Sequence, residues 1–432
     1  MNNSSLSANL STVIATELDE TGPIITLIQA STLIIGAAFI AFFVNFYLLL
    51  CSAFLRRPLT VNLKLCLSLT TSDCAGAFFY ILSNLVNITL PYLLNTKEII
   101  SNCFTLVIEA LKIATFFASV FNLLVLALNH YIGIVYPLNR YAITSKTVKF
   151  AILVAYLFPI MGMMTLFSVM PGLGFQAEKA FGFFSPNGCE GSKIFNEVSV
   201  RWIIVAPFVV FVIIISFLYL HILLHMHKLS QDSILNQPGT NVSKRQNNKR
   251  LLVTIMLLAG SAIVGWLPTL SQYVLFCNAC PFNLPGQTYF YLMVVAMLLN
   301  VMKFIADAFI YASRLIEIRY AIWMFNMTIL SNFPCCRNMK FDVPQIFNKY
   351  LSETKERRSV TTSKRVILER MNEFDRSSRR PTIRTVKTTN IPEQQRLLSN
   401  TNHDHPKLDK LNDEILYENL KFIHGQSCYE AK

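Results

Sequence analysis

A few charged residues stand well inside stretches that are otherwise apolar. They are Asp73, the pair Glu109 and Lys112, and the pair Lys303 and Asp307. In hydrocarbon a carboxylate or ammonium costs at least ~2.5–3.5 kcal/mol on insertion scales, so it turns into a helix bundle and finds a partner there. Lys303 precedes Asp307 by one helical turn, a rise of ~6 Å. That spacing permits a contact of Lys303 with Asp307 or with Asp73. Glu109 and Lys112 are spaced i,i+3 and can neutralise each other, or they can face a ligand. An ammonium at Lys112 repels an amine and attracts a carboxylate or phosphate. Catalytic patterns are missing: the chain has neither a glycine-rich phosphate loop nor an HExxH. His221 and His225 are spaced i,i+4 beside His227 and could hold a metal, but histidines at a membrane interface explain them as well. No metal or cofactor is expected.

These residues need elements to carry them through lipid. The chain has 432 residues, 53% hydrophobic and only 15% charged, with mean hydropathy +0.44. Soluble domains usually carry about 25% charged residues. The net charge of +13 does not point to nucleic acid, because the first 55 residues contain no Lys or Arg and many basic residues follow Ser313. Basic charge beside apolar spans reads as cytoplasmic flanks near anionic lipid.

A spanning helix needs about 20 largely apolar residues. Seven stretches qualify: Ile24–Leu55, Asn62–Leu90, Cys103–Val135, Thr147–Met170, Trp202–Leu224, Leu251–Phe276 and Tyr289–Ser313. The fold class is therefore an all-α membrane protein, a bundle of seven transmembrane helices. Alternate loops are basic: Arg56 and Arg57, then Arg140, Lys146 and Lys149, then Lys228, Lys244, Arg245, Lys249 and Arg250. The other loops are balanced or acidic. The positive-inside rule places the N-terminus outside and the C-terminus in the cytoplasm, with the first span serving as an uncleaved signal-anchor.

Residues 1–23 read as an extracellular polar tail, 24–313 as the bundle, 314–336 as an amphipathic helix on the inner leaflet, and 337–432 as a disordered cytoplasmic tail. Asn2, Asn3 and Asn9 each begin an Asn-x-Ser triplet, and glycosylation of at least one is expected. Cys335 and Cys336 follow the amphipathic helix and are either palmitoylation sites or free thiols. Cys277 and Cys280 lie in a tight outer loop, where a local disulfide is expected rather than zinc, which needs four ligands.

The third stretch organises the chain. Glu109, Lys112, Ser119 and Asn122 fall on roughly one helical face, and Asn129-His130-Tyr131, Ile134-Val135 and Pro137-Leu138 end it. That ending resembles the signature of rhodopsin-like (class A) G-protein-coupled receptors, with Asn129 in place of Asp and His130 in place of Arg. Further matches come in order: Asn45, Ser68-Leu69 with Asp73, Pro207, Gly265-Trp266-Leu267-Pro268, and Asp307-Ala308-Phe309-Ile310-Tyr311. The chain resembles an outlying, invertebrate-type member of that family.

The resemblance implies several roles. Asn45, Asp73, Ser119, Lys303, Asp307 and Tyr311 would form an intramembrane polar switch. In many relatives this cluster holds sodium; here Lys303 would supply the positive charge instead, or form a buried pair that only satisfies itself. Glu109, Lys112 and Trp266 would meet a ligand, with Trp266 and Pro268 a movable floor or a fixed aromatic kink. Cys103 and Cys189 would pair. Asn129, His130, Tyr131, Arg140, Lys249 and Arg250 would face a heterotrimeric G protein, although basic flanks occur on all membrane proteins. The partners implied are an extracellular peptide or small-molecule ligand, a G protein and membrane lipid of the plasma membrane, with no nucleic acid. Two other readings use the same residues: a transporter or channel with Lys112, Asp73 and Lys303 as a charge path, and a seven-helix receptor that binds without signalling, as His130 permits.

Overall fold

Backbone amides in lipid have only one another as partners, so every long apolar stretch closes its own hydrogen bonds as a helix. The computed structural model describes residues 3–93, 102–138, 143–169, 183, 189, 198–231, 242–276, 282, 284–332, 343–360 and 362. Helices α1 (Asn3–Cys51), α2 (Val61–Asn84), α3 (Asn102–Val135), α4 (Ser145–Val169), α5 (Val198–Gln231), α6 (Val242–Leu275) and α7 (Gly286–Arg314) carry the seven stretches in order. Among the described residues six helices, all but α6, are long and apolar enough to cross a membrane. Thr60 caps α2, its hydroxyl accepting from the Leu63 amide at 3.3 Å. Prolines 159, 207 and 268 lie inside α4, α5 and α6, each removing one ladder hydrogen bond.

Helix α2 does not stop at Asn84. It runs on through a π-helical turn, Leu85–Thr89, and a last α-turn, Leu90–Leu93. Helix α2 packs on α1 and α3, α3 packs on α4, and α7 closes back on α1 and α2. Ring contacts bring in the other two helices: Phe117 of α3 lies 5.4 Å from Phe208 of α5, and Phe208 lies 5.4 Å from Trp266 of α6. The disulfide Cys103–Cys189 ties the start of α3 to the segment beyond α4, with Cα atoms 5.0 Å apart.

Met1–Leu229 with Leu251–Tyr350 forms one unit, and Ser230–Arg250 with Leu351–Lys432 forms a second. Of the second unit, 242–250 and 351–360 are helical, and Arg357 donates to Glu353 at 3.3 Å within it.

Helix α1 begins at Asn3, in a run of 3–21 that holds neither Gly nor Pro. Two short pieces of the tail after 337 are helical. Gln345–Phe347 forms a 3-10 turn behind Pro344, and 348–360 is helical. The signal was local: Pro344 at a helix start and Ile346, Phe347, Tyr350 and Leu351 at helical spacing, which average composition hides.

The expected amphipathic helix is α8 (Ile316–Asn332). Leu315, with extended backbone, bends it away from α7. Its Phe325 ring meets Tyr47 and Phe54 at 5.6 Å each, and Asn326 accepts from the Tyr47 hydroxyl at 2.7 Å. Its Tyr320 ring meets Phe347 at 5.5 Å and Tyr350 at 5.3 Å, and the Arg56 guanidinium stands 5.7 Å from the same ring. Helix α8 thus packs on protein through two faces. Phe347 is buried, so Phe347→Ala should cost the tail turn about 3 kcal/mol. Amide exchange of residues 348–350 should then speed up by roughly a hundredfold, measured by hydrogen–deuterium exchange.

Candidate functional site

All four polar residues on the predicted face of α3 point at α2. Nearest Cys103, Lys112 Nζ lies 2.5 Å from Glu109 Oε2 and donates to Ser83 Oγ at 2.9 Å. Asn87 Nδ2 donates to Glu109 Oε1 at 2.7 Å, and Ser83 Oγ donates to that same oxygen. The Tyr80 ring lies under the ammonium, 5.7 Å from Nζ. Asn87 sits within the π-helical turn, whose extra residue turns the end of α2 relative to α3. Farther along, Ser119 Oγ donates to Asp73 Oδ1 at 2.7 Å, and Ser68 Oγ donates to Asn122 Oδ1 at 2.7 Å. Glu109 Oε1, Asp73 Oδ1 and Asn122 Oδ1 thus each accept a hydrogen bond along one seam, while Asp73 Oδ2 has no partner among the described residues.

The centre of the bundle holds a triad. Lys303 Nζ lies 2.9 Å from Asp73 Oδ1 and 3.0 Å from Asp307 Oδ2, with all three side chains at most 1% exposed. The ammonium also donates to Ser119 Oγ at 2.8 Å. The expected contact of Lys303 is made with both carboxylates. Asn45 fastens α1 beside it, Nδ2 donating to Ala41 O at 2.9 Å and to Phe304 O at 3.0 Å. Tyr311 is buried one turn beyond Asp307, and its hydroxyl has no hydrogen-bond partner among the described residues. Sodium does not fit this cluster. The ammonium already occupies the side of Asp73 and Ser119 from which oxygens would ligate a cation.

Trp266 belongs to this centre. It is 1% exposed, its ring lies 4.6 Å from Lys303 Nζ, and its edge meets Phe208. The structure therefore brings Glu109 and Lys112 together but seats Trp266 against Lys303. An aromatic layer lies between the two polar groups: Tyr80, Phe116 and Phe304 touch one another at 5.6–6.5 Å. Asn300 Nδ2 reaches the Tyr80 hydroxyl at 3.4 Å.

At the other end of α3, Asn129 Nδ2 donates to Asn62 Oδ1 of α2. The Tyr131 ring meets Tyr136 edge-on at 5.8 Å and lies tilted to His221 at 5.5 Å. His130 is half-buried, with no partner for Nδ1 among the described residues. Lys64 Nζ donates to Ser145 Oγ at 2.6 Å and joins α2 to α4. Among the described residues no three His, Cys, Asp or Glu side chains gather as metal ligands would. Asn2, Arg140, Cys277, Cys280, Cys335 and Cys336 lie outside the described residues, as do the side chains of Asn3, Asn9, Lys249 and Arg250. Sequence reasoning missed Ser83, Asn87 and Tyr80 on α2 and Ser261 on α6, whose Oγ donates to Asp307 Oδ1 at 2.7 Å.

A family model described as 7 transmembrane receptor (rhodopsin family) matches residues 34–311. No curated protein matches the chain. The matched region runs from α1 through Tyr311 and so contains the whole triad, Trp266 and the α2–α3 seam.

Removing one partner of a buried charge set leaves the rest uncompensated, at a cost of about 3–5 kcal/mol. Lys303→Met should lower the thermal unfolding midpoint of the purified receptor in detergent. Combining it with Asp73→Asn and Asp307→Asn should recover most of the loss. A single variant as stable as the parent would show that the triad is not ion-paired.

Proposed function

The chain belongs to the rhodopsin family of seven-transmembrane receptors, and from that premise we propose how its own residues carry a signal. It is a G-protein-coupled receptor of the membrane and not an enzyme, as its family establishes. The N-terminus faces out at the plasma membrane and the tail faces the cytoplasm, a placement supported by the basic loops. Asn129 and His130 support its reading as a divergent, invertebrate-type member.

A peptide or small molecule enters from the Cys103 end. Glu109 is held by Ser83, Asn87 and Lys112, which leaves it little capacity to anchor an amine. Lys112 keeps 18% of its side chain exposed and favours an acceptor group such as a carboxylate. Tyr80, Phe116 and Phe304 pass the occupancy of this upper layer to Lys303, and Trp266 rests on the same ammonium. The observation that carries the reading is this fixed ammonium between Asp73 and Asp307. It stands in for a diffusible cation, so the two bundle arrangements differ in how the helices surround it. Asn129, His130, Tyr131, Arg140, Lys249 and Arg250 form the face offered to a heterotrimeric G protein. Glycans on Asn2, Asn3 or Asn9, acyl chains on Cys335 and Cys336, and a second disulfide between Cys277 and Cys280 complete the proposed anatomy.

Cells expressing the receptor with a panel of G-protein reporters test this. Wild-type signal should exceed that of empty cells for at least one reporter and should not change when sodium is replaced by choline. Lys303→Met should change the basal signal; normal, sodium-insensitive activity in that variant would end the stand-in idea. His130→Arg should raise the signal, since an Arg offers more donors in a rigid fork. A response that appears only with Arg at that position would favour a receptor that binds without signalling. Against a library of peptides and carboxylates, Lys112→Met should weaken the response to any hit by about tenfold or more.

A further inference from the structure

Helix α6 meets α7 along a stripe with a period of four: Ser261, Gly265 and Thr269. Each answers a particular group on α7. Ser261 Oγ donates to Asp307 Oδ1 at 2.7 Å. Thr269 Oγ1 donates to Ala296 O at 3.1 Å. Between them Gly265 lies against the stem of Lys303, where a Cβ would fall 2.5 Å from Lys303 Cβ and 3.0 Å from Cγ. Real Cβ atoms do not come that close, so any side chain at 265 must push α6 away from α7 or push Lys303 off its carboxylates. One residue on, the Trp266 ring faces Lys303 Nζ at 4.6 Å.

Resting on the receptor reading above, we propose that α6 grips both poles of the buried triad. Ser261 holds the Asp307 carboxylate, Trp266 covers the Lys303 ammonium, and Gly265 is the clearance that lets the two helices close. Ser261 and Gly265 are then positioning residues that set the resting arrangement of the receptor. The charges explain why the grip matters. Two carboxylates share one ammonium, and Asp307 depends on Ser261 for a donor besides Lys303. When the inner half of α6 swings about the Pro268 kink, Asp307 loses that hydroxyl and Lys303 loses the ring face. The two losses oppose the swing together, because they sit five residues apart on one rigid segment. A hydroxyl bound to a charged group resists its removal more than a neutral pair does, so Ser261 weighs more here than an ordinary intrahelical serine.

The test uses the full-length receptor. G-protein activation is normalised to surface receptor, and an environment-sensitive fluorophore on Met256→Cys reports the position of α6. Ser261→Ala should raise basal activation about tenfold and shift the fluorophore signal in the same direction as activation. Ser261→Thr, which keeps the hydroxyl, should recover most of the restraint. In an Asp307→Asn background Ser261→Ala should add less than about twofold, since the charged acceptor is gone. Gly265→Ala should also raise basal activation, since its methyl would fall 2.5 Å from Lys303 Cβ. The proposal is overturned if Ser261→Ala leaves activation and fluorescence unchanged or lowers them. It is equally overturned if its effect persists undiminished with Asp307→Asn. Should no reporter respond even to wild type, the signalling reading fails, and the fluorophore alone decides the grip by the same pattern.

Discussion

An ammonium fixed between two carboxylates in the middle of a helix bundle is the constraint around which this molecule is arranged. Asp73 comes from α2, Ser119 from α3, Lys303 and Asp307 from α7, and Ser261 from α6. Lipid supplies no hydrogen bonds, so every donor the triad needs must come from a helix. Two carboxyl groups and one ammonium taken out of water cost several kcal/mol in such surroundings unless polar groups surround them. That requirement fixes which faces of which helices turn inward. The close approach of α6 follows from it as well, since only Gly265 leaves room for the Lys303 stem.

Much of this order was visible in the residues. Charged groups inside apolar stretches announce a shielded interior, and the seven stretches announce the helices that shield it. The face of α3 bearing Glu109, Lys112, Ser119 and Asn122 was legible because polar residues in lipid must share a side. The partner of that face was less so. Hydroxyls are common in these helices, and most of them bond back to their own helix: Thr70 to Cys66 O, Ser72 to Leu69 O, Thr115 to Lys112 O. A serine that reaches across, such as Ser83 or Ser261, has no local mark to distinguish it. Ser261 has both kinds of acceptor in reach, Leu258 O at 3.0 Å and Asp307 Oδ1 at 2.7 Å, and its single proton favours the shorter, charged one. The contact of Trp266 with Lys303 was hidden for a related reason. Its motif marks a kink beneath a pocket but says nothing of the lysine, distant in sequence, on which its ring lies. The ordered turn behind Pro344 was lost in an average over a polar tail, although its few aromatic residues were enough to cover Tyr320.

Two polar groups joined by an aromatic layer are a workable signalling geometry. The upper group, Glu109 with Lys112, keeps 11% and 18% of its side chains exposed; the lower group is at most 1% exposed. Rings of Tyr80, Phe116 and Phe304 are in contact, and packed interiors shift between discrete arrangements rather than deform smoothly. Lys303 touches this layer from below, 5.3 Å from the Phe304 ring. A ligand therefore needs no direct access to the charges to change the balance of forces on them.

The π-helical turn of α2 has a consequence for chain length. A ladder that steps once from i−4 to i−5 absorbs a surplus residue without breaking the helix. Below Leu85 the register serves Asp73 and Ser68; above it the register is rotated so that Asn87 meets Glu109 and Thr89 meets Ser31 of α1. A chain shorter by one residue in this segment would keep its lower contacts and present a different set of side chains to everything arriving from the Cys103 end. Diversification of what such a protein detects can thus proceed by single insertions and deletions here, leaving the sealed machinery beneath untouched.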